Sequence, residues 1–497
     1  DTAKHPRKTG TFAGTGFRKW RHCGRLQNTS HFGSMCEQAP KWASRHWSNK
    51  VVVVRELALL GGLLAVLAGC GPTEDTPPPD VTPDVTPDVS VPEGVPELPD
   101  ALAAMDTAEP TRRIYVSASH ACEDESLNDG SVETCDGNAG PFASIVAMGS
   151  AAPEISPGTA VVFREGTYAV TNLGLSQTGT ADAPIQLLAY PGESPVLDSG
   201  FYGDAATYVD RVAVVASGKY LVIKGLEFVG CHRTCVLVTG QHVVVADNTF
   251  VGGVEDSLKT SVPNSDVYIA RNHFSLPLGV GLNPDGSPEA IDGFQSRRVW
   301  VTQNEFTDSD TNRGGWGTVV WFKAGSEAVY FYDNHVHDIH VNDAATIMGG
   351  CCFNNWTWEP STPVAANVVF SGNTIERITF ESNYKYRGSI VSYGCHGCAA
   401  RNNVITDCEV GLSVRNTDAD GQPVPEAVLV STDVTFEGNQ VGVTGTGYLF
   451  AVEQESGLVV DNNTYQCSSA AFRYEDEDQT QAEWQALGFD TNSQLCP

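Results

Sequence analysis

Residues 243–250 read VVVADNTF and residues 267–274 read VYIARNHF. The shared phrase is an apolar run, a polar residue, Asn, any residue and an apolar one, and it occurs eight times between residues 243 and 465. The other copies are VWVTQNEF (299–306), VYFYDNHV (329–336), VVFSGNTI (368–375), AARNNVI (399–405), VTFEGNQV (434–441) and VVDNNTY (459–465). Their asparagines are Asn248, Asn272, Asn304, Asn334, Asn373, Asn402, Asn439 and Asn463, spaced 24 to 39 residues apart. A unit repeated at that period marks a solenoid. Short Val/Ile/Phe/Tyr runs make the unit strand-based rather than helical. Strands stacked in parallel place equivalent asparagines above one another, where their amides pair in a ladder. A parallel coil also buries its strands, which accounts for nearly continuous apolar runs. A β-sandwich would need hairpin turn pairs, and these are rare between the runs. The sequence therefore predicts an all-β chain coiled as a parallel β-helix.

Charge is unevenly spread. Residues 1–50 hold ten Lys/Arg against two acidic residues, although the whole chain has 30 against 60. This opening block lacks periodicity and its first Met is Met35; it is expected to be mistranslated upstream sequence or an unprocessed leader, outside the fold. Residues 51–70 contain LALLGGLLAVLA (57–68), too short to span a bilayer but suited to a signal-peptide core. Residues 71–110 carry ten prolines and ten acidic residues without Lys or Arg. Such a composition predicts an extended linker over 71–111, reaching on the order of 100 Å at about 3.1 Å per residue. The folded body is expected over 112–497. A net charge of −30 excludes a nucleic-acid partner, which would demand basic faces.

Two resemblances sharpen this reading. Leu67-Ala68-Gly69-Cys70 resembles the lipobox of bacterial lipoproteins, which implies lipid attachment at Cys70, export, and an outer-membrane or cell-surface location with the membrane touched through the anchor only. The stretch from Ile114 to Val170, TGTADAPIQLLAYPGESPVLDSG (178–200) and YLVIKGLEFVG (220–230) resemble the N-terminal part of right-handed β-helix proteins of the pectate-lyase-like superfamily, and the end AAFRYEDEDQTQAEWQALGFDTNSQLCP (470–497) resembles their closing segment. That implies a right-handed single-stranded helix with three sheets per coil, the asparagine at the second turn, and a short N-terminal capping helix near Pro141–Ala151. It also implies a polysaccharide partner, and the chain is expected to act as a monomer. Eleven cysteines follow Cys70, and an exported chain can oxidise them. Local pairs are expected for Cys122–Cys135, Cys231–Cys235 and Cys467–Cys496. Cys351, Cys352, Cys395, Cys398 and Cys408 could cross-link coils, with a zinc site at Cys395-x-x-Cys398 and His396 as the competing reading.

The resemblance puts the functional groove on the first sheet, just upstream of each repeat. Those segments include DSLKTSV (256–262), AIDGFQSR (290–297), TVVWFKAGS (318–326) and SIVSYGCH (389–396). Coils stack about 4.8 Å apart, so Lys259 and Lys323 would face successive sugars with Asp292 between them. In β-elimination from a uronate chain, a base takes the C5 proton while cations neutralise the neighbouring carboxylate. Lys323, then Lys259, are the candidate bases, provided that a pKa is depressed. Asp256, Asp292 and Glu255 are candidate Ca²⁺ ligands. Gln295, Arg297, Arg298, His396 and Arg415 are candidate substrate-binding residues, with Arg313 adding local positive charge, and Trp316, Trp321, Trp356 and Trp358 could stack on sugars. The polygalacturonase-like hydrolase pattern fails: Asn416-Thr417-Asp418 follows His396 in the wrong order, and no Asp-Asp pair occurs. The expected function is a polysaccharide (uronate) lyase at the cell surface. The alternative is a non-catalytic β-helix acting as a glycan-binding module, adhesin or spacer.

Overall fold

The structure, a computed structural model, describes residues 91–201, 211–253, 255–276, 288–308, 317–341, 344–350, 365–381, 386–415, 430–444, 447–453, 455–466 and 472–495. Each coil contributes one strand to each of three sheets. Sheet I contains Thr234–Val238, Asp256–Ser261, Glu289–Phe294, Thr318–Lys323, Ala344–Gly349, Gly388–Tyr393, Leu412–Arg415 and Phe450–Val452, stacked in chain order. Sheet II contains the apolar run of each repeat, among them Gln241–Ala246, Ser265–Ala270, Arg297–Thr302, Ser326–Tyr332 and Ala365–Ser371. Sheet III follows the asparagine, with Thr249–Gly253, His273–Leu276, Glu305–Asp308, His335–Val341 and Thr374–Phe380. Among the described residues the strands pair in parallel, apart from the closing hairpin of Phe472–Tyr474 with Glu477–Gln479. The chain is a right-handed parallel β-helix.

After the first two coils, where it takes three and six residues (164–166 and 190–195), the corner between sheets II and III is two residues, as at Asp247-Asn248, Arg271-Asn272, Gln303-Asn304 and Asp333-Asn334. The first of the two has positive φ, between 53° and 56° at these four corners. Asp, Asn and Gly are the residues that tolerate this conformation best, and Gly372 and Gly438 take it at φ 67° and 68°. The second residue turns its amide inward. Nδ2 of Asn248 donates to Oδ1 of Asn272 at 3.0 Å, and the chain of amides continues through Asn304, Asn334, Asn373, Asn403, Asn439 and Asn463 at 2.9–3.1 Å. Each amide also caps a sheet II carbonyl, as Asn334 does for Val301 at 2.9 Å. The sixth member is therefore Asn403 and not Asn402. In the pair Asn402-Asn403 the first residue fills the left-handed slot at φ 54° and is exposed. The ladder ends where Asn463 donates to Oδ1 of Asp490 at 3.0 Å.

The apolar residue two places after each ladder asparagine forms the inner stack. Phe228, Phe250, Phe274 and Phe306 lie ring on ring with centroids 5.0, 4.8 and 4.9 Å apart. All four are fully buried, in a core that runs the length of the solenoid. Its ends are closed by short helices. Helix α2 (Ile145–Ala151), capped by the Ser144 side chain, contributes Met148 to the core. Helix α3 (Gln481–Ala486) opens with a capping box from Thr480 and Glu483 and buries Trp484 against Phe472 and Phe489.

Residues 91–111 do not form the tail of an unpacked linker. Val95, Leu102 and Met105 pack on the outer face of sheet II against Val244, Tyr268 and Trp300, with helix α1 (Asp100–Asp106) carrying the last two. Asp106 accepts from Lys224 at 3.0 Å and from Arg271 at 2.8 Å. Apolar residues three apart made one helical face here despite the surrounding charge. Cys122–Cys135 and Cys231–Cys235 are disulfides as expected. Cys395 pairs with Cys398 within the sheet II segment of one coil, which removes both from cross-linking and from a zinc site, and Cys408 is free and buried. Cys70, Cys351, Cys352 and the Cys467–Cys496 pair lie outside the described residues.

Asn334→Ala should strand buried partners on both neighbouring coils and lower stability by on the order of 3 kcal/mol. Asn402→Gly, which only exchanges an exposed left-handed residue, should change it little. Denaturant unfolding of the two variants side by side decides whether the ladder runs through 403.

Candidate functional site

In sheet I the second and third residues of a strand both reach the core, as Cys235-Val236, Ala290-Ile291 and Val319-Val320 do, so the residues facing outward recur three apart and then two apart. The paired register gives one outer row, Thr234–Asp256–Glu289–Thr318. A second row is Leu237–Lys259–Asp292–Trp321–Ile347–Val391. A third contains Ser261–Phe294–Lys323, and further along Tyr393–Arg415. Leu258, Ile291, Val320 and Phe322 fill the core from the other face.

Five ionisable groups meet on this outer face. Lys259 Nζ lies 3.2 Å from Asp256 Oδ2 and also bonds Asp292 Oδ2. Lys323 Nζ reaches both oxygens of Glu289 at 3.1 Å, and Asp292 Oδ1 at 3.1 Å as an ion pair without hydrogen-bond alignment. The Lys323 ammonium also sits 4.2 Å from the Trp321 ring centre, a cation–π contact. Asp292 is 1% exposed and Asp256 3%, while the Lys259 side chain, at 22%, is the most open member. Beyond Trp321 the face is apolar, with Ala344, Ile347, Val391 and Tyr393 in one cluster. Buried Arg415 lies 4.9 Å from the Tyr393 ring.

Two of these carboxyls titrate unlike the third. Burial, then the Asp292 charge, pushes the Asp256 carboxyl up to about 7, against the pull of Lys259 and Lys323. Burial likewise drives Glu289 well above the usual carboxylate range. Asp292 is buried too, but Lys323 and Lys259 outweigh that and hold its carboxyl below its ordinary value. Burial opposes both ammoniums, and the surrounding carboxylates overcome it and raise both lysines. The depressed pKa that a lysine base needs is thus found at neither Lys323 nor Lys259. They are the cations of the cluster, and the group brought near neutral pH is the Asp256 carboxyl.

One oxygen each from Asp256, Glu289 and Asp292 lies within 4.8 Å of the other two. Such hard oxygen donors suit Ca²⁺. Glu255 is not among them, because it faces away and accepts from Arg233 at 2.6 Å. Its place is taken by Glu289, which was legible in hindsight as the counterpart of Asp256 in the spaced pairs Asp256-x-x-Lys259 and Glu289-x-x-Asp292. Of the proposed substrate-binding residues, only Arg415 stands on sheet I. Gln295 takes φ 52° and ends the strand, so Arg297 and Arg298 begin the next strand of sheet II, exposed, with Arg298 paired to Asp266 at 2.6 Å. His396 also belongs to sheet II. Arg313, Trp316, Trp356, Trp358 and Asn416–Asp418 lie outside the described residues.

The titration of Asp256 has a definite sign. Folded Asp256 keeps its proton up to about pH 7, while the unfolded chain releases it near about pH 4. Its ionisation therefore opposes folding increasingly across that window. The stability of the wild type relative to Asp256→Asn should fall, by on the order of a few kcal/mol, between about pH 4 and about pH 7. Parallel curves for the two proteins in thermal melts would mean that Asp256 ionises normally.

No curated protein matches the chain in sequence. Solved structures similar to it include a lacto-N-biosidase from Eubacterium ramulus, at 13% identity over 78% of this chain and 67% of that one, with a TM-score of 0.47. An alginate lyase from Paenibacillus sp. gives 15%, 74%, 99% and 0.37, and a surface adhesin of Streptococcus pneumoniae gives 12%, 64%, 80% and 0.44. At these identities and scores no activity is carried over. A family model described as a right handed beta helix region matches residues 317–482, and the protein is by its coordinates a right-handed parallel β-helix.

Proposed function

We propose that this chain is an exported polysaccharide lyase that opens uronate chains by β-elimination on the outer face of sheet I. The observation that supports this most is a single buried cluster holding a carboxyl pushed to about 7 beside a carboxyl pushed down and two ammoniums. Carboxyls with opposite shifts mark an acid–base pair, and perturbed groups of this kind gather at functional sites.

The chemistry follows from the groups present. A uronate carboxylate entering beside Lys259, the most open member of the cluster, exchanges an internal ion pair for one with the substrate. Lys259 and Lys323 then neutralise charge that grows on that carboxylate as the C5 proton leaves. Asp256 in its ionised form accepts the proton, since a base with pKa near the working pH is half available and strong enough. The electron pair left at C5 forms the C4=C5 double bond, the C4–O bond breaks, and the departing oxygen takes up a proton from the neighbouring protonated Glu289. Ca²⁺ held by Asp256, Glu289 and Asp292 would require all three ionised, so it would replace these proton transfers rather than accompany them, supplying positive charge toward the uronate carboxylate. Part-exposed Trp321 offers an aromatic face for an adjoining sugar. The lysine pair is also what lets an otherwise acidic protein, net charge −30, receive a polyanion.

Export is supported by the disulfides Cys122–Cys135, Cys231–Cys235 and Cys395–Cys398, which require an oxidising compartment. A lipid on Cys70 would hold the protein at the outer membrane or cell surface. A second reading rests on the self-satisfied pairing of the cluster and the burial of four of its five members: the chain then binds glycan, or acts as an adhesin or spacer, without cleaving it.

The full chain should generate unsaturated uronate ends from at least one member of a panel of uronate polymers, followed by ultraviolet absorbance. Asp256→Asn and Lys259→Ala should each lower the rate by roughly 10²–10⁴-fold, with Asn402→Gly unaffected. Absence of product from every polymer would discard the lyase and leave the non-catalytic reading.

A further inference from the structure

The geometry points to a transition-metal site of the Zn²⁺ type on the outer face of sheet III, built from Glu305, His335 and His337. It is separate from the carboxylate–lysine cluster of sheet I and does not depend on its function.

His335 and His337 are two apart on the strand His335–Val341, and alternate residues of a strand share a face. Val336 and Ile339 of the same strand fill the core, as does Phe306 of the neighbouring one, so both imidazoles face outward. Glu305 is directly opposite His335 in the register. One ligand atom from each of the three lies within 4.8 Å of the other two. The imidazole rings stack with centroids 4.1 Å apart. A His-x-His pair with a carboxylate on the adjacent strand supplies three protein ligands of the types that Zn²⁺ takes, and leaves a fourth position for water or another ligand.

A metal-binding histidine usually has its second ring nitrogen held by a carboxylate or carbonyl, which fixes the ring and strengthens the donor. Both histidines have that support here. Nε2 of His335 is 2.9 Å from Glu376 Oε1, and Nδ1 of His337 is 2.7 Å from Asp338 Oδ2. Those two carboxylates are fixed in turn by Arg377, which bonds Asp338 at 2.5 and 2.7 Å and Glu376 at 2.8 Å. The remaining nitrogen of His337, Nε2, lies 3.0 Å from Glu305 Oε1, so a cation inserted there replaces the proton between them. The other oxygen of Glu305 meets His273 Nδ1 at 2.9 Å. The site is open to solvent, with Glu305 exposed and both histidines part-exposed.

The test is calorimetric titration of the chelator-treated full chain with Zn²⁺ alone, supported by metal analysis after dialysis. One zinc per chain is expected at this site. His337→Ala and Glu305→Ala should each weaken that binding by about 10- to 100-fold without changing the circular dichroism, because both side chains stand outside the core. Asp256→Asn should leave it unchanged. Zinc binding that is absent, or equal in wild type, His337→Ala and Glu305→Ala, would overturn the assignment.

Discussion

The hydrogen bond from one buried asparagine amide to the next is the constraint from which the rest of the molecule follows. Eight such side chains stand in line, and each holds a sheet II carbonyl as well as its neighbours. A coil displaced by one residue would leave these amides unpaired in a site without water, at about 1–3 kcal/mol for each lost partner. Register is thereby locked coil by coil, and stability becomes a sum of neighbour contacts. With sheet II fixed, sheet I is fixed too. That is why Asp256, Glu289 and Asp292, 33 or 36 residues apart in sequence or three along a strand, converge on two adjacent lysines.

The convergence is electrostatically demanding. Removing carboxylates and ammoniums from water costs several kcal/mol per ion unless geometry repays it. The cluster meets this by alternation: Asp256, Lys259, Asp292, Lys323 and Glu289 form an unbroken chain of opposite contacts. Three carboxyls against two ammoniums leave one negative charge too many, and burial raises Asp256 to about 7 and Glu289 well above the usual carboxylate range, so that these two resist ionising. A fully structural network would more simply carry equal numbers.

Much of this was legible in the sequence because the repeat fixes position. The period predicted every strand of sheet I that carries the cluster, and it placed Lys259, Asp292 and Lys323 on successive coils. Other features needed coordinates. Asn402 and Asn403 are both candidates by composition, and only the left-handed slot separates them. Glu289 stands before the apolar part of its strand, where it looks like a loop residue until its pairing with Asp256 and Thr318 places it on sheet I. Arg297, Arg298 and His396 appear to continue sheet I, but a single left-handed residue at Gln295 redirects the chain before the arginines. The shifts of the lysines could not be anticipated, since burial alone would have lowered them and the balance depends on distances. The stretch 91–111 shows the opposite failure: composition suggested solvated chain, and three apolar side chains sufficed to seat it on sheet II.

Along the ladder the corner between sheets II and III keeps two residues, since the first must turn left-handed and the second must reach the next amide. Differences in coil length, from 24 to 39 residues, therefore fall outside that corner, in the strands and at the other two bends, which both border sheet I. Natural variation in such a chain is channelled to one side of the molecule. The frame can stay constant over evolutionary time while the rim of the trough is rewritten, so that altered recognition need not come at the expense of foldability.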